Sequence, residues 1–381
     1  MLEPGNQIQN AIYLGGGAAW PLTAADWEAK AAEMLEPGPF GYIAGGAGTE
    51  ATMRANLEAF ERRRLRPRML AGNLERDLSI EVLGLRSPVP FLLAPIGVLS
   101  IAHPDAERAL ARASAATGVP LILSSAASTS MEDVALELGG APRWYQLYWF
   151  SDRGIAASLV DRAAEAGYSA IVVTLDTLIL GWRPRDLRLG YLPFLHGEGL
   201  AQFFSDPVFR SLLDTPPEED VVGASVRALS LFSNLGLTWD DLDWLRERTE
   251  LPILVKGILS AEDARTALEH GADGIVVSNH GGRQVDGAVA SLDALIEVRD
   301  ARGAGPTVLM DSGIRGGSDV LKALALGADA VLLGRPYVYG LAVGGQAGVE
   351  AVIRQLAAEI DLTLALIGGR SVRELDRTAV T

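Results

Sequence analysis

Ala166-Gly-Tyr-Ser-Ala-Ile-Val-Val-Thr174, His270-Gly-Ala-Asp-Gly-Ile-Val-Val-Ser278 and Leu326-Gly-Ala-Asp-Ala-Val-Leu-Leu-Gly334 are versions of one phrase. In each, a glycine leads into a small-residue turn, then an aliphatic triplet, then a small or hydroxyl residue seven positions after the glycine. The glycine suits a helix C′ position, where a left-handed backbone is wanted. The triplet is too short and too uniformly apolar for a strand with one wet face. It reads as a parallel strand buried on both sides.

Helix starts fit the same unit. Ser130 with Asp133, Ser260 with Asp263, and Ser318 before Asp319 offer N-cap hydroxyls ahead of Ala/Leu-rich segments. Strand, loop, capped helix, glycine, strand is βα repetition. Working outward gives eight strands: Pro90–Ala94, Pro120–Leu123, Trp144–Leu147, Ala170–Val173, Pro252–Val255, Gly274–Val277, Thr307–Met310 and Ala330–Leu333. Successive right-handed crossovers of this number predict an α/β fold, a (β/α)8 TIM barrel. The rival is an open doubly wound sheet, but Gly15-Gly-Gly17 precedes every strand and opens no helix, so the dinucleotide reading is weak.

Two regions fall outside the repeat. Residues 1–85 form an N-terminal helical extension packed on the barrel of 86–381. It has a capped helix from about Trp27 to Leu35, a loop Pro37-Gly-Pro-Phe-Gly-Tyr42 and a basic stretch Arg62–Arg68. The second region separates strands four and five, Leu178 to Glu250, and holds a lid insertion at about 185–245. Long excursions on a barrel's C-terminal face are commonly active-site lids. Its Phe194, Phe203, Phe204 and Phe209 offer a surface for a membrane or partner subunit. Glu198, Asp206 and Glu218-Glu-Asp220 favour a solvated lid instead.

Composition narrows the function. Of 381 residues, 49% are hydrophobic and 21% charged, enough for a large core. A net charge of -15 disfavours nucleic acid and anionic membranes as partners. Zero cysteines remove disulfides, thiolate catalysis and iron–sulfur clusters. The opening Met1-Leu-Glu-Pro4 lacks a basic stretch before an apolar run, so no signal peptide is expected. No apolar run is long enough to span a bilayer, and a cytoplasmic protein is expected.

Barrel chemistry sits at strand C-termini. Those ends read Pro95-Ile-Gly97, Ser124-Ser125, Gln146 with Tyr148, Thr174-Leu-Asp176, Lys256, Ser278-Asn-His-Gly-Gly-Arg283, Asp311-Ser-Gly-Ile-Arg315 and Gly334-Arg335. Glycine turns before the last two helices, with Arg315 and Arg335, predict a phosphate site; tight turns with surface arginines are the plainer alternative. No metal site is expected. Of the four histidines, His103 precedes a proline at a helix start, His270 sits beside a C′ glycine and His196 lies in the excursion. His280, at the tip of strand six, is alone placed like a general base. Lys256 suits a Schiff-base aldolase if its pKa is depressed, or a permanent cation beside a cofactor that becomes anionic.

Ser278-Asn-His-Gly-Gly-Arg-Gln284, Ala94-Pro-Ile-Gly97, Gln146-Leu-Tyr148, Thr174-Leu-Asp-Thr177, Lys256-Gly257, Asp311-Ser-Gly-Ile-Arg315 and Leu333-Gly-Arg-Pro336 together resemble the FMN-dependent α-hydroxy-acid oxidizing family, over about residues 20–380. Within it, Gly181-Trp-Arg-Pro-Arg-Asp186, Leu192-Pro-Phe-Leu195, Ser205-Asp-Pro-Val-Phe209, Tyr42-Ile-Ala-Gly-Gly-Ala47 and Arg66-Pro-Arg-Met-Leu70 look most like the lactate 2-monooxygenases.

The resemblance implies FMN as cofactor, with Pro95, Ile96 and Gly97 against the flavin. Ser124, Gln146, Thr174 and Ser278 would bond its ring edge or ribityl chain, and Lys256 its N1 side. Asp311, Gly313, Arg315, Gly334 and Arg335 would hold ribityl and phosphate. Tyr42, Tyr148, Arg183 and Arg283 would bind a 2-hydroxy acid. His280 would take its proton, with Asp176 stabilising the imidazolium. Substrate and molecular oxygen are the implied partners, in a tetramer or octamer with which the apolar Val349–Ile367 is compatible. Gly97 suggests extra room for oxidative decarboxylation of L-lactate; release of hydrogen peroxide is the alternative. Ala126, where relatives carry larger residues, suggests a bulkier substrate. A Schiff-base aldolase and a non-catalytic flavin binder remain as other classes.

Overall fold

The computed structural model describes residues 2–301 and 305–381; Met1, the first residue of the stretch read for a leader, lies outside them. Eight parallel strands close on themselves: Phe91–Leu93, Leu121–Ser124, Arg143–Tyr148, Ile171–Thr174, Ile253–Ile258, Gly274–Val277, Thr307–Met310 and Ala330–Leu333. The last pairs back onto the first, Val331 against Phe91. Every expected strand is present within a few residues of its expected bounds. Most are buried along their whole length, because the interior side chains fill the barrel and the outer ones meet the helices.

The glycines of the repeated phrase have left-handed φ at Gly167 (75°), Gly271 (85°) and Gly327 (117°). Ser130 and Ser260 cap their helices by accepting the N–H of Asp133 and Asp263. Ser318 does not. The helix after the seventh barrel strand, Gly317–Leu326, starts earlier than that assignment, with Gly316 at the N-cap. There Asp319 reaches back to the N–H groups of Arg315 and Gly316, so a carboxylate inside the first turn replaces the hydroxyl.

The N-terminal region supplies helices Gly5–Leu14, Ala24–Met34, Pro37–Ala44 and Ala51–Arg62, then a hairpin of Ile80–Val82 and Leu85–Ser87. Trp27, Ala31 and Phe60 belong to the same hydrophobic cluster as the barrel. The Pro/Gly-rich stretch expected to be a loop is the helix Pro37–Ala44. Proline at its first position presets φ, and its C-terminal carbonyls are satisfied from distant parts of the chain by Arg283 and Arg335.

The lid insertion is folded onto the barrel. Phe203 and Phe209 are fully buried and Phe194 nearly so, meeting one another or Phe150 and Phe232 at 4.6–5.6 Å between ring centroids. These rings hold the lid down instead of offering a docking face. Asp206 is also no solvated residue. It is completely buried, caps the turn Pro207–Arg210, and accepts from the Ser158 hydroxyl at 2.6 Å and Arg162 at 3.1 Å. Val349–Ile367 likewise turns inward: the helix Arg335–Leu366 packs on Gly5–Leu14, Ala24–Met34, Ala106–Thr117 and Gly317–Leu326. That packing removes it as an argument for assembly. Among the described residues no helix is long and apolar enough to cross a membrane.

Candidate active site

His280 follows the sixth barrel strand in a left-handed conformation (φ 58°), uncommon outside glycine. The turn is pinned by the Ser278 hydroxyl, which accepts the His280 N–H at 3.0 Å, and by Ser312, which accepts the Gly281 N–H at 2.9 Å. Asp176, at the end of the fourth strand, meets His280 Nδ1 at 2.7 Å, and the Thr177 hydroxyl lies 3.1 Å from the same nitrogen. Burial disfavours the Asp176 anion, but the His280 ring and the Lys256 ammonium outweigh it and hold the carboxyl at about 2. An ionised Asp176 requires a proton on Nδ1, which leaves Nε2 as the basic nitrogen. Burial pushes His280 below the ordinary histidine value, with Asp176 opposing. The resting pair is therefore a neutral imidazole against a carboxylate.

Lys256 is a buried cation. It donates to Ser278 Oγ at 2.9 Å and lies 3.2 Å from Asp311. Burial lowers its pKa, but Asp311 and Asp176 overcome that and raise it. Schiff-base chemistry needs the opposite shift, so the aldolase alternative fails here. The next residue, Gly257, has φ 108° and interrupts the register with the sixth strand. A Cβ there would lie 2.7 Å from that of Asp176, so only glycine lets Lys256 and Asp176 share this corner.

Four arginines border the same cavity and none has a carboxylate partner among the described residues. Arg183 donates to the Arg283 carbonyl (3.1 Å) and to Gln284 (2.9 Å). Arg283 lies over the Tyr42 ring, 4.9 Å from its centroid, and donates to the Tyr42 and Gly45 carbonyls. Arg335 donates to the carbonyls of Ile43, Gly281 and Gly45, at 3.1, 3.1 and 2.8 Å. Arg315 bonds its neighbour's carbonyl, Ile314, at 2.9 Å. Burial, helped by Arg183, pushes Arg283 down to about 9, and burial pushes Arg335 down to about 10. Both stay charged at neutral pH. Buried or half-buried cations with only neutral partners mark anion sites.

One elongated cavity connects these groups. Its lining includes Tyr42, Tyr148, Arg183, His280 and Arg283, together with Lys256, the Pro95-Ile96-Gly97 strip, Asp311, Gly313, Arg315, Gly334 and Arg335. Asp176 stands behind His280. Ser124, Gln146, Thr174 and Ser278 are buried and do not line it. They bond instead to one another or to Lys256: Ser124 to Gln146 at 3.1 Å, Gln146 to Thr174 at 2.9 Å. Sequence reasoning missed the apolar wall of Phe194, Leu229 and Phe232, because nothing in an isolated lid sequence says which rings face a ligand. It also missed Gln284, whose amide binds Arg183 and donates to the Asp176 and Ile179 carbonyls at 2.9 and 2.8 Å. Its place at the end of the Ser278–Gln284 string was the available signal.

The expected extra room at Gly97 is absent. A Cβ there would lie 2.8 Å from the Ala126 Cβ and 2.9 Å from its carbonyl oxygen. The space is filled by the neighbouring loop, which also accepts the Val98 N–H at 2.8 Å. Gly97→Ala is therefore expected to destabilise the protein by ~1–3 kcal/mol, the usual range for overpacking, read as a lower melting temperature. An unchanged melt would mean the loops separate freely.

A barrel whose strand tips bring a His–Asp pair and anion-seeking arginines to one cavity has the equipment of an oxidoreductase working on a carboxylate beside a phosphorylated cofactor. Residues 31–381 match the FMN-dependent dehydrogenase family, and the chain belongs to it. It is 46% identical to an FMN-dependent alpha-hydroxy acid dehydrogenase, qulF, of Penicillium citrinum over 92% of this chain and 88% of the other. It is 43% identical to an L-lactate oxidase of Lysinibacillus sphaericus over 94% and 92%. A crystal structure of mandelate oxidase, 40% identical, superposes with a TM-score of 0.84 over 95% of this chain and 98% of that one. The protein is an FMN-dependent α-hydroxy-acid oxidoreductase.

Proposed function

We propose that the protein oxidises an L-2-hydroxy acid with an apolar side chain larger than methyl to the 2-keto acid, passing two electrons and two protons on to oxygen as hydrogen peroxide. The observation that carries the reading is the 2.7 Å His280–Asp176 pair in a cavity bordered by arginines without carboxylate partners.

The residues fit FMN. Gly313, Arg315, Gly334 and Arg335 in the cavity lining offer a phosphate cations and backbone N–H groups, and Lys256 adds an ammonium to the same lining. Bound FMN supplies the two-electron acceptor that no side chain provides. The chain does the rest. Arg183 and Arg283 hold the substrate carboxylate, and their spare N–H groups suit paired bonds to it. Burial raises the Tyr148 phenol to about 12, so it stays a donor throughout the neutral range. His280 Nε2 takes the substrate proton, and Asp176, already ionised, stabilises the imidazolium that results.

Ala126, Phe194, Leu229 and Phe232 belong to the apolar lining, and the small side chain of Ala126 there is what favours a bulky substrate. Several of the related crystal structures are of mandelate oxidase, an activity on an aromatic hydroxy acid, which supports this choice. Oxidative decarboxylation would need space beside Gly97, and Ala126 fills that space.

Purified protein should absorb visible blue light. Air oxidation of mandelate should yield about one peroxide per keto acid and no carbon dioxide. A colourless protein sinks the whole reading; carbon dioxide without peroxide sinks the oxidase outcome. The acid limb of kcat/KM should lie below the ordinary histidine value of 6.5, because a depressed His280 is already unprotonated at pH 7 and gains protons only in more acid solution. A limb centred above 7 would overturn the base assignment.

A further inference from the structure

Two serine hydroxyls from different strand-end loops grip one turn of the lid. Ser100 belongs to the short helix Leu99–Ile101 after the first barrel strand, and Ser128 to the loop after the second. Ser128 Oγ accepts the Gly199 N–H at 3.1 Å and lies 2.7 Å from Ser100 Oγ, which in turn meets the Glu198 carboxylate. Each hydroxyl has one proton to give. The Glu198 carboxylate takes Ser100's, so Ser100 must accept from Ser128. The direction runs from the Gly199 amide through Ser128 and Ser100 to Glu198, and both ends lie on adjacent lid residues.

The bridge has a rigid foundation. Glu107, 1% exposed, accepts the Ser128 N–H (3.0 Å), the Thr129 hydroxyl (2.9 Å) and the Leu99 N–H (3.4 Å). One buried carboxylate thus fixes the backbone at or beside both serines. The gripped turn sits directly on the cavity wall. A Cβ at Gly199 would lie 2.7 Å from Val98, 2.8 Å from the Ala126 carbonyl oxygen and 3.0 Å from the Phe194 ring. Val98, Ala126 and Phe194 all line the cavity.

We propose that Ser100 and Ser128 are positioning residues: their hydroxyl bridge seats the Gly197–Gly199 turn, sets Phe194 near Ala126 in the cavity lining, and so decides which substrate side chains the pocket takes. The proposal rests on the hydroxy-acid reading above. Neither serine lines the cavity, so neither belongs to the binding machinery.

The test uses FMN-loaded Ser128→Ala, Ser100→Ala and the double variant, with hydrogen exchange over 194–204 and steady-state kinetics on mandelate and lactate. Each single variant should speed exchange there about tenfold and raise KM for mandelate by a similar factor, the size of one lost hydrogen bond, with kcat and flavin content kept. The double variant should be no worse than Ser128→Ala, because the two hydroxyls form one bridge. Glu198→Gln, which keeps an acceptor, should stay near wild type, whereas Glu198→Ala should match the serine variants. Wild-type exchange in Ser128→Ala, additive effects, or a fall in flavin content with KM unchanged would each overturn the proposal. If neither acid bleaches the wild-type flavin, the functional reading falls, while the exchange pattern still decides what seats the lid.

Discussion

Replacing His280 by alanine or glutamine is expected to slow anaerobic bleaching of the flavin by a 2-hydroxy acid ~10²–10⁴-fold at pH 7, the usual worth of a positioned general base. FMN should stay bound. Among the described residues the ring is the only imidazole on the cavity wall, and its Nδ1 is committed to Asp176 at 2.7 Å. The arginines at the last two strands do not bond that ring; Arg335 uses the Gly281 carbonyl, which either substitution leaves in place. Glutamine keeps an N–H for Asp176, so it separates loss of the base from stranding of a buried carboxylate. Stopped-flow absorbance reads the rate and the bound-flavin spectrum reads retention. Bleaching at the wild-type rate in both variants would remove His280 from the chemistry.

Lys256→Met should cost about 3–5 kcal/mol of stability, as expected when one partner of a buried ion pair is deleted. Asp311 would lose its 3.2 Å partner, and Asp176 would lose one of the charges that keep it ionised. A neutral side chain would also take one buried cation out of the cavity lining, so FMN should dissociate more readily. Denaturant titration and flavin release on dilution measure the two effects. A variant as stable and as yellow as the wild type would show that neither aspartate depends on the ammonium.

The linkage sign follows from the same groups. Asp176 has a depressed folded value, so its contribution is present at neutral pH and is lost as pH falls through the carboxylate range toward about 2. His280 runs the same way: a base held neutral by burial must take up a proton on acidification, more readily unfolded than folded. Both favour the folded chain at neutral pH over acid.

Much of the site was legible because barrel topology converts strand order into position. Once Ser278–Arg283 and Thr174–Asp176 are assigned to strand tips, they must face one rim, and His280 and Asp176 do meet. Where reading stopped short, the missing information lay in packing. Ser124, Gln146 and Thr174 stand on the expected strands, and only packing shows that their side chains bond one another. Gly97 has no side chain, yet no vacancy, because Ala126 lies across it.

By itself, the sequence determined the closed βα order, the glycine turns and the residues at the strand tips, since each depends on neighbours within a few positions. The tertiary structure alone decided that Arg283 and Arg335 cap the helix of Tyr42, that the lid phenylalanines turn inward, and that Lys256 is paired instead of free. Those outcomes depend on charges and surfaces far apart in the chain, whose cost of burial is fixed only when folding brings their partners within bonding distance.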